Sequence, residues 1–474
     1  MTIVSTSTSS VLTLSTASDA LAAGAMTSTE LVQRCIDVAD RHDAAVGTYI
    51  TRFTEEAMQA AAVADEVRDA GGSLGPLHGI PLGIKDIITT SECPSTAQSL
   101  VLDPAWSNGD AVVVRRLRAA GAIIMGKLTT MEFASGLPDH EREFPIPRNP
   151  WALDRWPGGS SSGTGSGIAT GMFLGGLGTD TGGSIRIPAA YCGITGLMPT
   201  YGRVPKSGCV PLGYSLDHIG PMARSARDCA VMLGVLAGHD PSDVTCLDVP
   251  VDDYPAALTG DLSGLRIGVD LSSGFDAVDV DPALVPAMRA AVNVLESRGA
   301  EVVEVALPCF DDVIASLLVT NSGETLAYHR PDAQSRLGDY SPSLRLSLPG
   351  GSMYSGADYV QAQRFRRLAH TAVETMMSDL DLVVTPTAFT GALALDGLTR
   401  DLSWFTKVNT PYWDAVGNPV ISVPIGFTAD GLPLAMQMAG RPFAEPTVLR
   451  AADAYQQETD WHLAVPPIST GEQP

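Results

Sequence analysis

The chain has 474 residues, 45% of them hydrophobic and 18% charged, enough to bury a large core. Its 30 Lys and Arg against 53 Asp and Glu leave a net charge of −23. That balance argues against a broad nucleic-acid surface, which needs a basic face, and against docking on anionic membranes.

In chain order, Thr27-Ser28-Thr29-Glu30 is a capping box, and Leu31, Cys35 and Val38 follow it on one helical face. Residues 54–70 read as a second helix, stopped by Gly71-Gly72. The apolar run 80–88 is β-branched and reads as a buried strand. Residues 110–120 read as a helix and 121–128 as a strand, and this alternation argues for an α/β protein. The stretch 157–202 is rich in Gly and Ser, yet Ile168, Met172, Phe173, Leu174 and Leu177 are interleaved with them. A flexible linker would not carry that apolar weight, so it reads as buried loops and turns joined by one helix. Beyond it, 265–271, 301–307 and 382–386 read as strands, and 282–297 and 357–377 as helices. Residues 420–425 and 434–438 read as two strands joined at Ala429-Asp430-Gly431. With no internal repeat and no clear linker, one large domain is expected over 1–474. Within it, a helical segment takes up about 1–75, a core about 76–240 and a C-terminal part about 260–460.

The seven cysteines form no C-x-x-C, so neither a zinc nor a dithiol motif is present, and they fit a reducing cytoplasm. The N-terminus lacks the basic and apolar regions of a signal peptide. The longest nearly apolar run, 167–178, is too short to span a bilayer. A cytoplasmic location with no membrane partner is expected.

Three generic motifs fail on context. Gly121 to Lys127 nearly matches a P-loop, but Leu128 stands where Ser or Thr should hold Mg²⁺. Gly163-Thr164-Gly165-Ser166-Gly167 lacks the spacing and acidic partner of a dinucleotide fingerprint. Gly159 to Gly163 is a formal G-x-S-x-G, centred on Ser161; a Ser-His hydrolase with Ser160 as nucleophile is the reading considered there, with His218 the base to keep in view. A different set explains more residues. Lys85 sits inside an apolar run, where burial would favour a neutral amine able to act as a base; pairing with Asp86, or pointing outward, is the plainer alternative. Ser184 follows Gly182-Gly183, a turn whose N–H groups can converge on an oxyanion; a helix-capping serine is the plainer alternative there.

The chain resembles the amidase signature family. The matching blocks are GIPLGIKDI, PGGSSSG, GTDTGGSIRIPAAYCGITGLMPT, SLDHIGPMARS, DLVVTPT and NPVISVPIGFTADGLPLAMQMAGRPF, from about residue 79 to 443. The resemblance implies an α/β fold with a central mixed sheet covered by helices on both faces. It also implies a Ser-Ser-Lys triad: Lys85 as general base, Ser160 as bridging serine held by a cis peptide, and Ser184 as nucleophile. Backbone donors of Thr181, Gly182, Gly183 and Ser184 would form the oxyanion hole, braced by Asp180 and Arg186. No metal and no cofactor is expected. The implied activity is hydrolysis of linear amides, with aryl amides, carbamates or urethanes, and esters as chemical cousins. Met131, Phe133, Gly159 and Ser161 are candidate pocket residues, with 131–149 and 340–359 as rim segments. The expected partner is a small-molecule amide or carbamate, with no nucleic acid, the chain being a monomer or homodimer. The alternative is an amidotransferase-type subunit of a multi-protein complex. The net charge counts against it, as does Ile187, where amide-transferring relatives often carry a polar residue.

Overall fold

The computed structural model describes residues 11–106, 109–398 and 403–470; the first ten residues of the N-terminal stretch read for a signal peptide lie outside them. One sheet of eleven strands organises the chain. In sequence these are β1 (Tyr49–Arg52), β2 (Pro81–Lys85), β3 (Ile123–Leu128), β4 (Gly175–Asp180), β5 (Thr195–Met198), β6 (His218–Ala223), β7 (Arg266–Val269), β8 (Glu301–Glu304), β9 (Leu382–Pro386), β10 (Val420–Phe427) and β11 (Pro433–Gly440). Their spatial order is β1-β3-β2-β4-β6-β5-β10-β11-β9-β7-β8. The sheet is mixed, as expected. β2 runs parallel to both β3 and β4, and β7 to both β8 and β9, whereas β4–β6, β5–β6, β5–β10 and β10–β11 are antiparallel. Strands β2 to β6 are buried at every residue, which explains why they read as continuous apolar or glycine-rich runs rather than as alternations.

The capping box at Thr27 and Glu30 forms and opens the Ser28–Val46 helix. The expected strand 80–88 ends at Lys85, where the chain turns. The Gly/Ser-rich stretch holds more order than one helix. It contains helices Ser162–Thr170 and Arg186–Cys192 and strands β4 and β5. Its small residues are a packing requirement. A Cβ on Gly167 would lie 2.2 Å from the Phe173 ring, and one on Gly163 2.4 Å from the Thr48 carbonyl oxygen. The Ser162–Thr170 helix can therefore be buried on every side, with β4 beside it. The 27-residue helix Phe310–Arg336, which periodicity does not predict, packs against the Gly356–Met376 helix.

The near-P-loop resolves into a turn and β3. Lys127 there is buried and ion-paired to Asp86 at 3.0 Å, so it is no phosphate ligand. All seven cysteines are free. Among the described residues no helix is long and apolar enough to cross a membrane.

Candidate active site

The end of β2 places Lys85 beneath the loop that leads into the Ser162–Thr170 helix. Its side chain is fully buried, and its ammonium does not pair with Asp86, which is taken by Lys127. Lys85 Nζ instead donates to Ser160 Oγ at 2.7 Å, Ser161 Oγ at 3.0 Å and Thr179 Oγ1 at 2.7 Å. Among the described residues no carboxylate touches it, and burial pulls its pKa from 10.5 down to about 7. The Gly159–Ser160 peptide is cis. The Ser161 hydroxyl donates to the Thr179 carbonyl at 3.3 Å, so toward Lys85 it can only accept. Ser161 and Thr179 as partners of the lysine were not legible in the sequence, because β4 brings Thr179 there from 94 residues away.

Ser184 sits in the turn between β4 and the Arg186–Cys192 helix, and it is partly exposed. Asp180, at the end of β4, shapes that turn. Its Oδ1 accepts from Gly183 N at 2.5 Å and its Oδ2 from Ile185 N at 3.1 Å and Arg186 Nε at 3.0 Å. Arg186 then reaches Asp414 at 2.5 Å, Gln437 Oε1 at 3.0 Å and the Thr410 carbonyl at 2.9 Å. The guanidinium holds the Asp180 carboxyl below its usual range, while burial and the neighbouring Asp180 push Asp414 well up. The expected brace of Asp180 and Arg186 is thus present, with Asp414 added. Gly183 has φ +125°, and a Cβ there would lie 2.0 Å from Thr410 Oγ1, so the turn requires glycine. Of the four candidate oxyanion donors, Gly183 N–H is spent on Asp180, which leaves those of Thr181, Gly182 and Ser184.

Ser160 and Ser184 line one cleft of about 110 Å³, together with Met131, Gly159, Thr181 and Gly182. Phe133 is placed elsewhere: it packs into the core against His329 and Tyr340. Ser161 lies behind the cleft on Lys85, fully buried. From the expected rim, Met353 and Tyr354 are exposed away from the cleft, with Tyr354 on a separate groove beside the Phe310–Arg336 helix. Trp156, Ile187, Leu317, Asn321, Trp404 and Phe405 also belong to the wall, as do Ala134, Ser135 and Gly136 from the expected rim segment 131–149. His218 makes its hydrogen bond to the Asp180 carbonyl and not to Ser160. Burial lowers its pKa to about 4, and its Nδ1 donates to the Asp180 carbonyl at 3.2 Å. The Ser-His alternative therefore lacks its base. Among the described residues, no group of three or more His, Cys, Asp or Glu is placed to hold a metal.

This sheet, with a buried lysine set among serines beside a cleft, is the architecture of an amide-cleaving enzyme. The family model Amidase matches residues 30–449, so the chain belongs to the amidase signature family. A relative from Chloroflexus aggregans, named as a glutamyl-tRNA(Gln) amidotransferase subunit, is 40% identical, the match covering 97% of this chain and 98% of that one. A solved chain from a vestigial protein complex bearing on the origins of an s-triazine catabolic enzyme superposes with a TM-score of 0.88 at 30% identity. That match covers 94% of this chain and 98% of the other. The corresponding glutamyl-tRNA(Gln) amidotransferase subunit from Thermotoga maritima superposes with a TM-score of 0.76 at 30% identity, covering 91% and 92%.

These relatives correct the expectation about partners. A small-molecule amide or carbamate as the only partner, with no nucleic acid and a monomer or homodimer, is overturned by kin named as subunits of a tRNA-linked amidotransferase across nearly the whole chain. Net charge misled because it reports on this chain's own surface and says nothing of what partner chains contribute.

Proposed function

We propose that the chain cleaves the C–N bond of a carboxamide through an acyl-enzyme on Ser184, as the amide-cleaving member of an amidotransferase-type assembly. The observation that carries the chemistry is Lys85: fully buried, facing three hydroxyls and no carboxylate. A neutral amine has two N–H donors and one lone pair. Ser161 can only accept, and Thr179 takes the second donor, so the lone pair faces Ser160, the one hydroxyl of the three that lines the cleft with Ser184. Ser160 gives its proton to Lys85 as it takes the proton of Ser184. Ser184 Oγ attacks the carbonyl carbon, and the N–H groups of Thr181, Gly182 and Ser184 receive the oxyanion. Each such donor contributes roughly 10²–10³ in rate. The C–N bond then breaks, the departing nitrogen takes the proton back from Lys85 through Ser160, and water releases the acid from Ser184.

The assembly part rests on relatives named as subunits that align end to end with this chain. With a net charge of −23, the basic contacts to a tRNA would be supplied by the companion chains. Intact-mass detection of an acyl adduct tests the chemistry. The adduct should form on Ser184 and vanish in Ser184→Ala, and near-normal turnover by that variant would refute the reading. Purification at native abundance tests the assembly. Stoichiometric companion chains that restore amide transfer to a carboxyl acceptor are expected, and recovery of this chain alone with full activity would remove the assembly role.

A further inference from the structure

Asp180 fixes the second half of the nucleophile turn, through Gly183, Ile185 and Arg186. The first half, where Thr181 and Gly182 bring two of the three remaining oxyanion donors, is held by a different carboxylate. β4 and β6 pair antiparallel with Asp180 opposite His218, so one step further along the ladder sets Thr181 against Asp217. The Thr181 hydroxyl donates to Asp217 Oδ1 at 2.7 Å. The N–H groups of Gly213 and Leu212 donate to Oδ1 and Oδ2, each at 2.9 Å.

A carboxylate suits this place. Three donors converge on its two oxygens, and an asparagine would turn its NH₂ group against one of them. Burial makes the choice a costly one and pushes the Asp217 carboxyl above its usual range. Lys206 lines an adjoining cavity of about 320 Å³ with Asp217, but its ammonium donates to the Tyr214 carbonyl at 3.1 Å and to the Tyr201 hydroxyl at 3.3 Å. The three bonds to Asp217 thus come from neutral groups, and they tie a loop to a side chain.

The loop 212–217 is itself anchored from outside. Thr325 Oγ1 donates to the Leu212 carbonyl at 3.3 Å, Ser215 N and Oγ donate to Glu324 at 2.9 and 2.7 Å, and Arg366 donates to Ser215 Oγ at 2.8 Å. The Phe310–Arg336 and Gly356–Met376 helices therefore fix the loop, the loop fixes Asp217, and Asp217 fixes the Thr181 side chain. The Thr181 Cα joins the two peptides that carry the Thr181 and Gly182 N–H groups, so pinning its side chain holds both in one direction. The peptide that follows is held separately, by Thr410 Oγ1 donating to the Gly182 carbonyl at 2.8 Å.

Building on the assignment of Ser184 as nucleophile, we propose that Asp217 is a positioning residue for the oxyanion hole. It touches no reacting atom. It acts through the Thr181 hydroxyl, which keeps the Thr181 and Gly182 N–H groups aimed at the oxygen that becomes negative. A group misplaced by about 1 Å forfeits about 100-fold in rate.

The test follows inactivation of the full chain by a fluorophosphonate, with the label located by peptide mass. Ser184 Oγ displaces fluoride, and the phosphoryl oxygen enters the hole as the carbonyl oxygen would. Thr181→Val removes the hydroxyl and leaves the backbone N–H, while Asp217→Asn removes the carboxylate. Each should lower the maximal labelling rate about 100-fold and leave the half-saturating reagent concentration within about threefold. Thr181→Ser should win back at least about tenfold of that loss, and the double variant should be no slower than the slower single one, because both changes break one link. Losses that multiply in the double variant, no recovery in Thr181→Ser, a loss seen only in half-saturation, or Thr181→Val labelling at the wild-type rate would each overturn the proposal while Ser184 remained the nucleophile. Should Asp217→Asn fail to fold, the two Thr181 variants decide. If Ser184 of the wild type does not label at all, the assignment beneath fails.

Discussion

In the proposed mechanism Lys85 sets how activity depends on pH. Its neutral form would be the base, and burial, which penalises the ammonium, brings its pKa to about 7. kcat/KM should therefore climb through about pH 7 and level off above it, and Lys85→Ala should remain inactive on both sides of that value. Recovery of the variant in alkali would point to another base. The same group affects stability with a definite sign. Its folded pKa is below the unfolded one, so the unfolded state binds the extra proton between the two values and stability gained from this group rises with pH. Lys85→Met should be more stable than wild type at pH 7 by a few kcal/mol, and the gap should narrow toward pH 10 in denaturant melts. A constant gap would mean that the amine is not desolvated. Arg186 is the other costly residue. Arg186→Leu strands two buried carboxylates, which should cost roughly 3–5 kcal/mol by urea unfolding.

At the scale of the element, the Ser162–Thr170 helix shows a local rule overridden by packing. Glycine in a helix interior costs up to about 1 kcal/mol against alanine, so Gly167→Ala should help an isolated helix. Here its Cβ would meet the Phe173 ring at 2.2 Å, and the substitution should destabilise the protein by about 1–3 kcal/mol, read as a drop in Tm. A rise in Tm would show that the ring can move aside. This conflict also explains why the stretch read as loops and turns with one helix: glycine and serine report the closeness of neighbours that only the folded chain supplies. The antiparallel pair β10–β11 lies at the other extreme. Its two short apolar runs and the Asp430-Gly431 turn between them are local, and the expected strands fall within the observed ones.

For the molecule as a whole, the net charge of −23 has consequences that individual contacts do not. Self-repulsion of that size favours solubility and loosens the compact state, so raising ionic strength from low to about 0.5 M should raise Tm as the charges are screened. An unchanged Tm would mean that the acids are compensated locally. Charge alone, though, was a poor guide to partners, because one member of a complex can leave recognition of a polyanion to its neighbours.

Many of the helices and strands, the acidic net charge, and the identity of Lys85, Ser160 and Ser184 as residues worth watching follow from the chain itself, since turn chemistry, periodicity and an ammonium in an apolar run are all local signals. The tertiary structure alone decided that Asp86 belongs to Lys127, that Thr179 and Ser161 surround the amine, that Asp180 uses up the Gly183 N–H, and that Phe133 turns into the core. Each of these depends on atoms brought together by the crossing of β2, β3 and β4 across dozens of residues, and distance along a chain carries no information about distance in space once a mixed sheet has folded it back on itself.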